Sequence, residues 1–155
     1  MPKPKKIVLL SCVATKLPQA APARELYNSP LFKKSLAYAE SLDPDDIVIL
    51  SAKYYVVPLT KVIQPYDKTL LNMPGDEIQE WAVQVLKILA DKYDLEKDHF
   101  VILAGEKYRK FIVPQISHWT APLTGLRIGQ QLSWYSKKLA KLVKEGFIKL
   151  LNLFR

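Results

Sequence analysis

Hydrophobic positions along the chain cluster into three short unbroken runs and several longer runs of helical period. Lys6 to Val13 (KIVLLSCV), Asp46 to Ala52 (DIVILSA) and His99 to Ala104 (HFVILA) are continuous and rich in β-branched residues. Such runs suit strands buried on both faces, as central parallel strands are. Each ends in small residues. Between them the spacing changes to that of helices. Ser29-Pro30 predicts an N-cap followed by proline at the first helical position, with Phe32, Leu36, Ala39 and Leu42 on one face. Pro74-Gly75-Asp76 opens a long helix whose apolar face holds Ile78, Trp81, Ala82, Val85, Leu86 and Leu89. Glu106 to Ile116 predicts an amphipathic helix, and Trp119 to Leu123 a short edge strand. Gly129 to Phe154 reads as mostly helical, with a stripe of Leu132, Leu139, Leu142, Val143, Leu150 and Phe154 and a weak point at Gly146. Thr15 to Pro22 reads as loop, Ala23 to Asn28 as a short helical turn, and Lys53 to Tyr66 as irregular, broken by Pro58 and Pro65.

Strands alternating with helices predict an α/β fold. The expectation is a single domain over 1–155, with a mostly parallel, Rossmann-like sheet of three to five strands flanked by helices. The 155 residues fit one domain. No repeat, linker or low-complexity segment interrupts them. In such folds ligands bind beyond the carboxyl ends of the strands. Ser11-Cys12, Ser51-Ala52-Lys53 and Ala104-Gly105 stand at those ends. Either they line a crevice or they merely permit tight turns.

Charge adds a second feature. The net charge of +8 is carried entirely by two segments, +3 on the arm 1–6 and +5 on 133–155, while residues 7–132 hold 14 basic and 14 acidic groups. The body is therefore no uniformly basic surface. The arm and the amphipathic terminal helix (129–155) are either a footprint for phosphates or a solvated lysine-rich face. One cysteine excludes a disulfide scaffold and Cys-based zinc sites. No apolar run approaches the ~20 residues of a membrane span, and Ile7 to Leu10 is too short for a signal-peptide core. The expected location is cytoplasmic, with no membrane association. Nothing in the sequence sets the oligomeric state.

Much familiar chemistry is missing. There is no phosphate-binding loop, GxGxxG or GxSxG motif. His99 and His118 stand isolated, outside any metal-ligand spacing, and nothing signals a cofactor or metal. The polar residues that remain are few. Lys16 follows the first strand; such a lysine is a nucleophile if desolvated, a phosphate anchor if charged, or simply exposed. Arg24 is the only arginine before Arg109 and suits bidentate anchoring of phosphate or carboxylate. Lys53 follows a buried strand. Asp67 either holds a water or sugar hydroxyl or caps a turn. Tyr27, Tyr54, Tyr66 and Tyr108 sit near element ends, where a ring can stack on a base or pack into the core. Gln130-Gln131 either reads a base edge or caps a helix.

Taken in order, these motifs resemble an uncharacterised domain-of-unknown-function family of bacteria, archaea and phages. The elements are Ser11-Cys12 with Lys16; Ala21-Pro22-Ala23-Arg24-Glu25-Leu26-Tyr27 with Ser29 and Phe32; Leu50-Ser51-Ala52-Lys53-Tyr54; Pro65-Tyr66-Asp67; Leu103-Ala104-Gly105 with Tyr108; and Pro122-Leu123, Gly125-Leu126 and Ile128-Gly129-Gln130-Gln131-Leu132. Two positions depart from that pattern. Tyr55 stands where the family has glycine, which counts against a tight turn after Tyr54. Val13-Ala14-Thr15 replaces more polar residues. Cys12-x3-Lys16 is also distantly similar to the catalytic domain of archaeosine synthase, where a lysine at this spacing is implicated in chemistry on a deazaguanine base in RNA; that likeness implies Lys16 as a candidate. YaaA-like peroxide-stress proteins are a further resemblance, implying a DNA-linked role.

The expectation is an enzyme acting on a nucleobase or nucleotide, within nucleic acid, by glycosidic-bond or base-modification chemistry. Lys16 and Asp67 would be catalytic. Ser11, Cys12, Arg24, Tyr27, Ser29, Lys53, Tyr54, Tyr66, Gly105, Tyr108 and Gln130 would bind the substrate. The alternatives are a non-catalytic nucleic-acid-binding module using the basic arm and terminal helix, and a partner surface on that helix.

Overall fold

The computed structural model describes residues 2–146. Five strands form one sheet in the order β4-β3-β1-β6-β7. The three apolar runs are its centre: β1 (Lys6–Ser11), β3 (Asp46–Ser51) and β6 (His99–Leu103). They pair in parallel, with Leu9 opposite Val48 on one side and Ile102 on the other. Alternate residues of these strands enter two separate cores, which is why the runs show no polar positions. Ile7, Leu9, Val48, Leu50, Phe100 and Ile102 pack under helix α3 (Gly75–Lys92) through Ile78, Trp81, Val85 and Leu89. Val8, Leu10, Ile49, Val101 and Leu103 pack under α1 (Ala23–Leu26), α2 (Pro30–Ser41) and α5 (Ile128–Lys144). The fold is thus α/β, with a mostly parallel sheet between helical layers, as expected.

Several local expectations are corrected. The segment read as irregular, 53–66, contains β4 (Tyr55–Pro58), antiparallel to β3, and β5 (Val62–Ile63), which pairs with β2 (Ala21–Pro22) inside the supposed 15–22 loop. The turn after Tyr54 forms despite the missing glycine: Tyr55 adopts φ +66°. That conformation costs an L-residue roughly 1–2 kcal/mol. Tyr55→Val, which places a β-branched side chain there, should lower stability by about 2 kcal/mol in urea unfolding. An unchanged midpoint would mean that the turn relaxes freely.

The helix expected over 106–116 is broken. A single turn, α4 (Glu106–Arg109), is followed by a 3-10 turn at Val113–Gln115, because Pro114 has no backbone N–H to continue the ladder. The edge strand is β7 (His118–Thr120), parallel to β6. The terminal helix stops at Lys144, with Gly146 at φ +80° just beyond; Leu150 and Phe154 of the expected stripe lie outside the described residues. No helix among the described residues is long and apolar enough to cross a membrane.

The two histidines are not isolated. The β6–β7 register sets His99 opposite His118. Burial, then His118 and Lys6, hold the His99 imidazole below its ordinary pKa. A lowered folded-state pKa means that the unfolded chain takes up the proton first. Stability is therefore full above the ordinary range near 6.5 and falls as the pH drops through the window below it. His99→Gln should flatten the difference between urea midpoints at pH 7.5 and pH 5. An equally steep loss in the variant would remove His99 as the cause.

Candidate functional site

The chain leaves β1 toward the α1/α2 face and leaves β6 toward the α3/α4 face, so the carboxyl ends of these adjacent strands part. This divergence is the topological switch point at which doubly wound sheets bind ligands. Cys12 follows β1 here, packed between both cores, and its Sγ lies 3.2 Å from the Tyr108 hydroxyl on α4. Its backbone N–H donates to Leu50 O across the sheet, which fixes it. Burial, followed by Cys12, pushes the Tyr108 phenol well above its usual range. Trp81 meets the Tyr108 ring edge-on at 5.6 Å.

The loop after Cys12 is pinned to α1 and the residues after it. Leu17 N–H donates to Leu26 O and Asn28 N–H to Thr15 O, with a backbone bridge between Lys16 and Tyr27. Pinning carries the half-buried Lys16 side chain over two rings. Its Nζ stands 4.3 Å from the Tyr66 centroid and 5.8 Å from that of Tyr27. Desolvation lowers the Lys16 pKa, opposed by Cys12 and then Asp67. A cation on an aromatic face is attracted by the ring quadrupole, so the ammonium is seated even while burial disfavours its charge.

Beneath Lys16 lies a cluster of hydroxyls. Tyr27 Oη is 2.6 Å from Tyr66 Oη, which is 2.7 Å from Ser51 Oγ. Ser51 ends β3 and is fully buried. Its carbonyl accepts from the Trp81 indole at 2.9 Å. Burial drives the Tyr27 phenol up to about 12, and pushes Tyr66 far higher. Tyr54 meets Tyr66 edge-on at 5.4 Å, and Lys53 Nζ lies 5.3 Å from the Tyr54 ring centroid.

The structure therefore brings Cys12, Lys16, Tyr27, Tyr54, Tyr66 and Tyr108 into one region. Ser11 adjoins it, its hydroxyl donating to Cys12 O, and Gly105 opens α4 beside it. Asp67 is exposed but close enough to act on Lys16 electrostatically. Others are engaged elsewhere. Arg24 pairs at the surface with Glu40 at 3.0 Å. Ser29 caps α2 by accepting from Phe32 N–H, and the Gln130 side chain accepts from Arg127 N–H at the start of α5. Lys53 is exposed. Ser51, which the sequence placed at a strand end as either crevice lining or turn former, joins this cluster. Trp81 escaped the sequence reading, where it looked like an ordinary core position at helical spacing.

Away from this region, an open groove of ≈ 830 Å³ runs between the arm Pro2–Lys5 and the end of α3 with its following turn. It lies at the amino ends of the parallel strands, opposite the Lys16 cluster, and mixes Lys3, Lys92 and Lys97 with Asp91 and Glu96. Its mouth is wide, and the Asp98 carboxylate in its lining is taken up by the backbone N–H groups of Lys5 and Asp94. Among the described residues no group of three or more His, Cys, Asp or Glu side chains is placed to hold a metal ion.

Residues 7–137 match the family of unknown function DUF6884, and the chain belongs to that family. No curated protein and no solved structure matches it.

Proposed function

We propose that this family member is an enzyme acting on a nucleobase or nucleotide, within nucleic acid, by glycosidic-bond or base-modification chemistry centred on Lys16. The observation that carries the reading is the seating of Lys16. Its partly desolvated amine lies over the Tyr66 ring, beside Cys12, at the switch point of the sheet. Burial favours the neutral, nucleophilic form of a lysine. A charged lysine at the same place would anchor a phosphate. Tyr54 and Tyr66 supply aromatic surface for a base, and Asp67, near enough to bias Lys16, would orient a water or a ribose hydroxyl. The distant archaeosine synthase-like spacing of Cys12 and Lys16 in the sequence fits the same chemistry.

The competing reading, a non-catalytic nucleic-acid binder, draws on Lys137, Lys138, Lys141 and Lys144, all exposed on α5. Of the arm's lysines, Lys6 donates from its side chain to Leu42 O, while Lys3 and Lys5 are exposed.

Incubation of DNA and RNA with the protein, followed by mass analysis of the released bases and the digested nucleosides, tests the proposal. A free base or a mass-shifted nucleoside that disappears with Lys16→Ala supports it. Unchanged nucleic acid would overturn it. Affinity that survives Lys16→Ala but not loss of the α5 lysines would then favour the binder.

A further inference from the structure

We propose that α2 and α5 together form the surface that holds the sugar–phosphate backbone of a nucleic acid and leads the polymer to the Lys16 cluster; only the link to that cluster rests on the function proposed above.

The surface is built by the helical period. Lys137, Lys141 and Lys144 recur at spacings of four and three, so they form one stripe along α5, with Lys138 beside it. All four are exposed. Tyr135 and Leu139, on the other side of the helix, are buried in the core under the sheet. No acidic residue occurs between Ile128 and Lys144, and Glu145 follows as a loose partner of Lys141 at 3.9 Å. α2 extends the stripe sideways. It packs against α5, and Lys34 Nζ donates to Ser136 Oγ at 3.0 Å, which sets Lys34 and the exposed Lys33 next to the α5 lysines. Trp134 closes the seam between the helices. Its ring lies edge-on to Tyr38 of α2 at 5.0 Å, and Lys138 Nζ stands 5.5 Å from its centroid. That cation–π contact holds one ammonium in place.

Charge is unevenly divided between the two helical layers. α3, on the opposite side of the sheet, carries Asp76, Glu77, Glu80 and Asp91 against Lys87 and Lys92. A polyanion is therefore drawn to the α2–α5 side. An anionic membrane fits this side poorly, because membranes take up an amphipathic helix by its apolar face, and that face of α5 is committed to the core. A phosphodiester backbone fits well. From Lys137 to Lys144 the stripe spans about 10 Å, the axial rise of about three phosphates in one strand of a duplex. The face also leads to the site. α2 follows β1 and α5 follows β7, and these strands run in the same sense. Both helices thus begin at the carboxyl ends of the strands, and the loop that carries Lys16 packs into the same core that they cover.

Binding of short labelled oligonucleotides, followed by fluorescence anisotropy over a range of salt concentrations, tests the surface. Lys137→Gln, Lys138→Gln, Lys141→Gln and Lys144→Gln combined should weaken binding at least about tenfold, and each lost contact should flatten the slope of log affinity against log salt by about 0.9 on a duplex. Lys33→Gln with Lys34→Gln should act in the same direction, which checks the α2 half. Affinity and slope that ignore both variants would overturn the proposal, as would equal binding of polyglutamate or of phosphatidylserine vesicles. Lysine-dependent binding with no altered or released base would remove the enzymatic function proposed above and leave this surface standing. An altered base with binding indifferent to these lysines would do the reverse.

Discussion

Lys16→Ala should remove the activity on nucleic acid proposed above, with a loss on the order of 10²–10⁴-fold, the scale set by removing a positioned catalytic group, while the fold is retained. Two features make the expectation specific. The amine is placed by a pinned loop and lies over Tyr66 at 4.3 Å. Desolvation also lowers its pKa, which means that the charged form is disfavoured by folding. The penalty is fully present below the lowered folded-state pKa and fades as pH rises toward the ordinary value of 10.5. Lys16→Met therefore should not cost stability at neutral pH in proportion to its effect on activity. Comparison of kcat/KM with thermal unfolding of the two variants checks both halves. A variant that loses activity only by unfolding would show Lys16 to be a packing residue.

Trp81→Ala has the largest expected effect on stability. The indole is 4% exposed and fills the space between α3 and the sheet. Its N–H satisfies the carbonyl of Ser51. Removing a buried tryptophan costs about 3–5 kcal/mol from transfer and cavity terms, and the orphaned carbonyl adds to this. For a domain of this size the melting temperature should fall by roughly 6–20 °C. Trp81→Phe keeps most of the volume but loses the hydrogen bond, at about 1–3 kcal/mol. Because that bond fixes the end of β3, Trp81→Phe should also disturb Tyr27 and Tyr66 in NMR spectra. A Phe variant as stable as the parent, with unshifted tyrosine signals, would mean that the bond to Ser51 contributes nothing to the site.

The parts of the fold legible in the sequence were those dictated by burial. β1, β3 and β6 show as unbroken apolar runs because both faces of each are covered by helices. Ser29-Pro30 marks the start of α2 because capping is a local interaction. What escaped was set by tertiary pairing. β4 is invisible because its turn is made by Tyr55 at a glycine-like φ, and β5 because a two-residue pairing has no period. His99 and His118, 19 positions apart in the chain, become neighbours only through the register of β6 and β7. For the candidate site the sequence pointed to the loops at the strand ends without a way to rank their residues. Ser29 and Gln130 read equally well as caps and as ligands, and local hydrogen bonding uses both as caps. Arg24 reads as an anchor until Glu40 is placed beside it. Ser51 carries no distinguishing signal, because its importance comes from two backbone donors and a phenol that only the folded chain brings to it.

On the function proposed above, the Lys16 cluster at the carboxyl ends of the strands is where a nucleobase binds. Titration of isotope-labelled protein with the ribonucleoside and deoxyribonucleoside 5′-monophosphates, followed through tyrosine ring and lysine side-chain NMR signals, tests it most directly. Saturable shifts at Lys16, Tyr27, Tyr54 and Tyr66, lost in Lys16→Ala, are the predicted result. Shifts confined to the α5 lysines or to the groove beside the N-terminal arm, with the Lys16 cluster unmoved, would contradict it.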